Sequence, residues 1–316
     1  MQTMTKQLKG ALPCFLAAVI WGLSFVFQTT AMDTIREFTF SGVRMVLAVL
    51  VLFPASVLSE KFSKQPPVSA DEKRQTRKTL CIAGVLCGVC LFAGFNLQQF
   101  AFVDTPTGKI GFLTAQYMVI VPVLGAVFLH KKIGLRIGIS VLLAVFGNFL
   151  LCMQKGSLSS FGRGELLSLS CSLFFALQIL IVDHYAPRIN VISLSCVQFA
   201  VAGTMSLICM FIFEHPTVSS ILAVAPELLY AGVMSSAGAF TLQLYGQKHT
   251  DPVLASMLLC LESVFSALFG WLILKQSLSA REMLGCAIMF AAIVLALLPR
   301  EIWLRLFHIN SNKQKG

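Results

Sequence analysis

Apolar runs of about 20 residues, separated by short polar breaks, follow one another along this chain. Ten fit: 12–31, 37–58, 79–102, 107–129, 134–152, 164–184, 191–213, 221–246, 253–274 and 280–298. An apolar helix of about 20 residues crosses the hydrocarbon layer of a bilayer. The two-residue alternation of a membrane barrel is absent. Helices satisfy every backbone group within the segment, as hydrocarbon demands. The pattern predicts an all-α polytopic membrane protein with ten transmembrane helices. The longest polar stretch, 60–78, contains Pro66-Pro67 and mixed charges and reads as a flexible cytoplasmic loop. After Pro299, Trp303 and Phe307 lie between Arg300, Arg305 and His308, the pattern of a short interfacial helix. The first run is long for a signal-peptide core and leads into further spans, so it is read as a retained helix.

The runs form two sets of five. Phe95-Asn96-Leu97-Gln98 recurs as Phe240-Thr241-Leu242-Gln243, an offset of 145 that also matches Thr105 with Thr250, Leu113 with Leu258 and Gly125 with Gly270. Earlier in each half the offset is 154, which matches Gly10 with Gly164, Trp21 with Phe175, Phe25 with Ile179 and Arg44 with Gln198. The difference is absorbed by the basic linker, long only in the first copy. An odd number of spans per copy forces the second copy upside down. The expected units are residues 1–152 and 153–316, the second ending in a short cytoplasmic tail. Inverted repeats of this kind point to secondary transporters.

Composition agrees with the membrane reading: 57% of residues are hydrophobic, 12% are charged, and the mean hydropathy is +0.82. A soluble chain carries about twice that charged share. With the N-terminus in the cytoplasm, seventeen Lys and Arg fall on inner segments and six on outer ones, with Arg44 inside a span. The positive-inside rule therefore places both termini in the cytoplasm. The same bias explains the net charge of +10, through basic loops facing anionic lipid headgroups. No basic face is interleaved with aromatics on a soluble domain, which excludes nucleic acid as a partner. The ten cysteines lie in or at the ends of apolar runs and read as small hydrophobes rather than a disulfide framework. Cys87-Gly88-Val89-Cys90 is a lone CxxC without the second pair of a metal site. No HExxH, Asp-rich pair or complete phosphate loop is present, so no metal, cofactor or enzymatic activity is expected. Gly84-x3-Gly88 and Gly134-x3-Gly138 match the small-xxx-small pattern of close helix contact, more readily within a monomer than across a dimer.

Polar groups inside hydrocarbon are costly, so those retained face a cavity or a partner. Two ionisable residues lie well within spans, Arg44 in the second and Glu262 in the ninth. Both fall near mid-depth and are close enough in height to meet. A buried ion pair that fixes two helices is one reading. In the other, Arg44 grips a substrate carboxylate or phosphate, and Glu262 exchanges a proton or holds a cationic amine. Uncharged candidates surround them. Trp21, Ser24 and Gln28 share one face of the first helix at i, i+3 and i+7. Gln98 and Gln243 are repeat mates, flanked in the first copy by Asn96 and Gln99. Gln116 and Tyr117 lie in the fourth span, Gln178 in the sixth and Gln198 in the seventh. So many amides in one bundle suggest a wet central cavity. Pro122 and Gly238 interrupt the fourth and eighth spans and read as kinks or hinges.

Taken in order, Trp21-Gly22-x-Ser24, Arg44, Leu97-Gln98 before Thr105, Pro122, Gly164-Glu165-Leu166-Leu167 and Leu261-Glu262-x-Val264-Phe265 resemble the ten-helix drug/metabolite transporter superfamily, and within it the EamA-type permeases. The resemblance covers about residues 10–298. The chain departs from that pattern at His130-Lys131 and Lys275-Gln276, where Gly-Glu is usual, and at Ser263, where the family has proline. The resemblance implies a central cavity between two halves and ATP-independent export of small metabolites such as amino acids. Arg44 and Glu262 match recurrent family positions, which favours a role in holding the fold. The expected protein is a carrier of a small organic solute in a bacterial inner membrane, as monomer or homodimer, with lipid as its surroundings. Its expected cavity is Trp21, Ser24, Gln28, Arg44, Asn96, Gln98, Gln116, Tyr117, Gln178 and Gln243, with Glu262 as the candidate proton- or cation-coupling residue. A non-transporting membrane protein, such as a lipid-binding assembly subunit or sensor, is the competing class.

Overall fold

Every backbone group of an apolar segment needs a partner in the segment itself, and the chain meets this demand with helices almost throughout. The computed structural model describes residues 2–62, 69–105, 107–129, 134–153, 162–275 and 278–298. The first half comprises α1 (Gln2–Met32), α2 (Glu37–Lys61), α3 (Ala70–Asp104), α4 (Thr107–Thr114), α5 (Tyr117–Leu129) and α6 (Leu135–Cys152). The second comprises α7 (Arg163–Tyr185), α8 (Val191–Phe213), α9 (Val218–Ala223), α10 (Ala225–Leu229), a π-helix (Tyr230–Ala239), α11 (Phe240–Gln247), α12 (Pro252–Leu259), α13 (Glu262–Leu274) and α14 (Ala280–Leu297). No strand occurs among the described residues. Nine segments among them are long and apolar enough to cross a membrane. Large apolar side chains point outward on these segments, among them Leu50, Phe53, Phe128, Leu142 and Phe211. Such a belt is unsuited to water and suited to lipid. The molecule is an all-α polytopic membrane protein.

Two segments differ from expectation. The run at 221–246 is not one regular helix. Pro226 lacks an N–H, and the chain turns at Val224 between α9 and α10. From Ala225 the helix continues to Gln247, but its middle ten residues widen into the π-helix. The second difference is the polar linker. Much of 60–78 is helical, because Ser69 and Glu72 form a capping box that starts α3 at Ala70. The expected interfacial helix after Pro299 lies outside the described residues.

Close helix crossings are made where a side chain is missing. A Cβ on Gly10 of α1 would lie 2.7 Å from the carbonyl oxygen of Gly246 in α11. Gly164 of α7 rests on Thr105, the residue that caps α3. A Cβ on Gly147 of α6 would lie 2.9 Å from the carbonyl oxygen of Gly285 in α14, and one on Gly285 would lie 2.6 Å from that of Gly147. Gly84 and Gly88 of α3 admit Val197 and Val201 of α8, so this small-residue pair packs within the monomer. Around Gly134 and Gly138 a Cβ would meet nothing within 4 Å. The principal contacts are α3 with α7 and α8, α2 with α8 and the π-helix, α6 with α14, and α1 with α11, α12, α13 and the π-helix. Exchange of the two halves sends α1·α11 to α7·α3 and α1·α13 to α7·α5, and both members of each pair are present. The α2·α8 and α6·α14 contacts map onto themselves.

Candidate functional site

Helix faces that carry amides and aromatics turn toward one another in the middle of the bundle. They line a partly open cavity whose non-atom space, open solvent included, is about 520 Å³. Helix α1 contributes Trp21, Ser24, Phe25 and Gln28 from one face, and α2 contributes Arg44. Phe95 and Gln98 come from α3, Thr114 from α4 and Tyr117 from α5. The second half adds Phe175, Gln178, Ile179, Ser235, Phe240, Gln243, Leu259 and Glu262. At the offsets of 154 and 145, fourteen of these residues are seven repeat-related pairs: 21/175, 24/178, 25/179, 95/240, 98/243, 114/259 and 117/262. The three without a lining mate are all polar: Gln28, Arg44 and Ser235. Two pairs touch across the middle. The Phe95 and Phe240 ring centroids are 5.5 Å apart, and the Tyr117 hydroxyl donates to Glu262 Oε1 at 3.2 Å.

Arg44 is only 1% exposed. Its Nε donates to Ser236 Oγ and its Nη2 to Ser235 Oγ, both at 3.0 Å. Its guanidinium lies 4.6 Å from the Phe95 ring centroid and 5.5 Å from that of Phe40. A charge at mid-membrane costs about 3 kcal/mol or more. Two hydrogen bonds to a charged group at about 1.5–3 kcal/mol each, with cation–π contact, offset that cost. Neither hydroxyl nor ring neutralises the charge. Trp21 holds this corner, with its indole N–H on the Ser235 carbonyl at 3.2 Å and its ring 4.7 Å from Phe240.

The amides form two chains. Gln243 donates to Gln178 at 3.0 Å and to Gln247 at 3.1 Å, Gln178 donates to Gln198, and Gln247 donates to the Ile179 carbonyl. In the first half Gln99 donates to Gln28 and Gln28 to Ser24, while Gln98 donates to Thr114. Interhelical bonds of this type in membranes contribute about 0.6 kcal/mol each. Their sum is modest beside the cost of leaving the amides unpaired.

Three expectations need correction. Arg44 and Glu262 line the same cavity but form no ion pair, because each is held by hydroxyl groups on its own side. Asn96 turns away from the cavity toward α8, where it donates to Ser206, and to the Phe92 carbonyl behind it. Gln116 does not line the cavity either. The chain tightens between α4 and α5, where the Gln116 N–H reaches Leu113 O (3.2 Å) and the Met118 N–H reaches Ala115 O (3.1 Å). Such three-residue steps are 3₁₀ turns, which often mark hinges within helices. The step releases the Phe112 carbonyl, and the Gln116 side chain donates to it at 2.9 Å. The same turn recurs 145 residues on, with Leu261 to Leu258 and Ser263 to Cys260, both 3.2 Å. The Cys260 thiol donates to the Ala115 carbonyl, its repeat mate's. The interruptions thus fall at 115–116 and 260–261 rather than at Pro122, and Gly238 lies within the π-helix. Ser235, Ser236 and Thr114 were not anticipated, since serine and threonine are too common in membrane helices to signal a site alone. Toward the expected outer face, Lys109 and Glu165 form a buried ion pair that ties α4 to α7.

The profile described as the EamA-like transporter family matches this chain twice, at residues 8–153 and 162–298. An uncharacterized transporter of Archaeoglobus fulgidus is 27% identical over 294 residues, which cover 92% of this chain and 86% of that one. The uncharacterized transporter YoaV of Bacillus subtilis strain 168 is 24% identical over 282 residues, 87% of this chain and 92% of that one. A known structure titled only as the crystal structure of a protein shares the fold, with a TM-score of 0.75 at 16% identity over 94% of this chain and 98% of the other. With the family profile matched along nearly its whole length and a cavity at its centre, this chain belongs to the EamA-like transporter family.

Proposed function

We propose that this membrane transporter is a secondary carrier that exports a small organic metabolite, such as an amino acid, without ATP. The observation that carries this reading is the cavity, whose walls are built from seven repeat-related pairs. Two five-span repeats of opposite orientation, residues 1–152 and 153–316, produce such walls as a matter of symmetry, and the double match of the family profile supports the division. Symmetric halves permit two equivalent arrangements around one site, which is the basis of alternating access. The repeated 3₁₀ turns at 115–116 and 260–261 are the places for the bundle to bend. In this reading the protein sits in a bacterial inner membrane with both termini in the cytoplasm, an orientation that its loop charges support.

Trp21, Ser24, Gln28, Gln98, Tyr117, Gln178 and Gln243 contact the solute in this reading, and Glu262 is the proton-sensitive group. The test is unbiased efflux. Purified protein in liposomes loaded with a metabolite extract is predicted to release one compound class selectively. Release of nothing by protein shown to be folded favours the non-transporting class. Glu262→Gln is predicted to flatten the pH dependence of transport, and a variant that keeps the full dependence removes that role from Glu262.

A further inference from the structure

We propose that Arg44 Nη1 is the docking point for the carboxylate of the transported solute, and that Gln243 Oε1 receives a hydrogen-bond donor from the solute's other end. The proposal rests on the carrier reading of the cavity and narrows its substrate to organic carboxylates.

Nη1 of Arg44 is buried and has no partner. Nε donates to Ser236 and Nη2 gives one of its two N–H groups to Ser235, and the two aromatic faces fix the plane. What remains is one unpaired donor edge on a positive group in the cavity wall. The support is built for the purpose. Consecutive residues on an α-helix point about 100° apart. The π-helix widens the turn, reduces that angle and brings both hydroxyls onto one guanidinium.

The arrangement is also absent from the other half. The repeat mate of Arg44 is Gln198, and those of Ser235 and Ser236 are Cys90 and Leu91. Gln198 joins the amide chain instead, through Gln178 to Gln243. The amide of Gln243 donates twice, and its Oε1 is buried without a partner. A nearly symmetric cavity therefore has a cationic group and a free acceptor in a wall that also carries phenylalanine rings. Glu262 is the one acid among the described lining residues, and its bond to Tyr117 leaves the guanidinium uncompensated. The complementary ligand is a compact carboxylate with an apolar or aromatic body and a distal hydroxyl, amide or amine.

The probes are 4-hydroxybenzoate, its neutral analogue 4-hydroxybenzamide, and benzoate, titrated calorimetrically into the full chain in lipid nanodiscs. The wild type is predicted to bind 4-hydroxybenzoate about tenfold or more tighter than the amide, as a charge-assisted hydrogen bond requires. Benzoate, without the distal donor, binds more weakly than 4-hydroxybenzoate. Arg44→Gln removes the preference for carboxylate over amide while the melting temperature shows the protein folded. Equal or absent binding of carboxylate and amide by the wild type overturns the proposal, as does a folded Arg44→Gln that keeps the preference or benzoate binding as tightly as 4-hydroxybenzoate. Such a result beside selective efflux of a neutral or cationic solute leaves the carrier standing and removes only the anion site.

Discussion

A single side chain is worth what its neighbours leave it to do. Gln116 and Gln243 are the same residue type, and both are expected in the cavity from the sequence. Gln243 is there, with an acceptor to spare. Gln116 repairs a carbonyl that its own backbone has abandoned. Gln116→Ala is therefore predicted to lower the melting temperature and leave solute affinity within about twofold, whereas Gln243→Ala weakens binding. Equal loss of binding in both would contradict the assignment. The presence of buried amides was legible in the sequence because hydrocarbon tolerates few polar groups. Their direction was not, because it depends on a local change of hydrogen-bond step that nothing at Ala115-Gln116 announces. Glu214 is a second case. It ends α8, yet its carboxylate accepts from the Phe38 and Thr39 N–H groups at 2.7 and 2.6 Å and so caps α2. Glu214→Ala is predicted to cost about 1–2 kcal/mol, the usual worth of an N-terminal cap, read as a lower melting temperature. A neighbour 175 residues away supplies this cap, so no local capping motif reveals it.

At the scale of elements, spans were readable and their irregularities were not. A stretch such as 191–213 reports itself through length and apolarity, and α8 occupies those residues. The π-helix and the paired 3₁₀ turns arise where helices meet at the centre; Gly238 marks the first as irregular without specifying its form, and ordinary helix formers such as Ala115 and Gln116 hide the turns. Glycines divide in the same way. A Cβ at Gly285 would lie 2.6 Å from Gly147 O and 2.7 Å from Leu151 N, backbone atoms that cannot swing aside. At Gly138 a Cβ meets nothing within 4 Å. Gly285→Ala is predicted to destabilise by about 1–3 kcal/mol, the range for overpacked cores. Gly138→Ala is predicted to leave the melting temperature unchanged. A similar drop in both variants would show that the α6·α14 crossing is not the close contact described.

The whole molecule is a bundle whose two halves supply matching walls and unmatched polar groups. The offset that aligns Phe95 with Phe240 could be read directly from the chain, and it also predicts which residues face each other across the cavity. The unmatched corner at Arg44 was visible as a charge in a span, but its hydroxyl partners required the π-helix. On the carrier reading, symmetry provides two equivalent ways to enclose a solute, and the asymmetric groups select it. The most direct test of this account is the rate at which a labelled solute, identified by the efflux screen, leaves proteoliposomes with and without the same solute outside. A carrier with one cavity gives efflux that saturates, accelerates with solute on the far side, and disappears in Gln243→Trp, where the indole fills the site. Efflux that rises without saturation, ignores the far side or survives the filled cavity would contradict it.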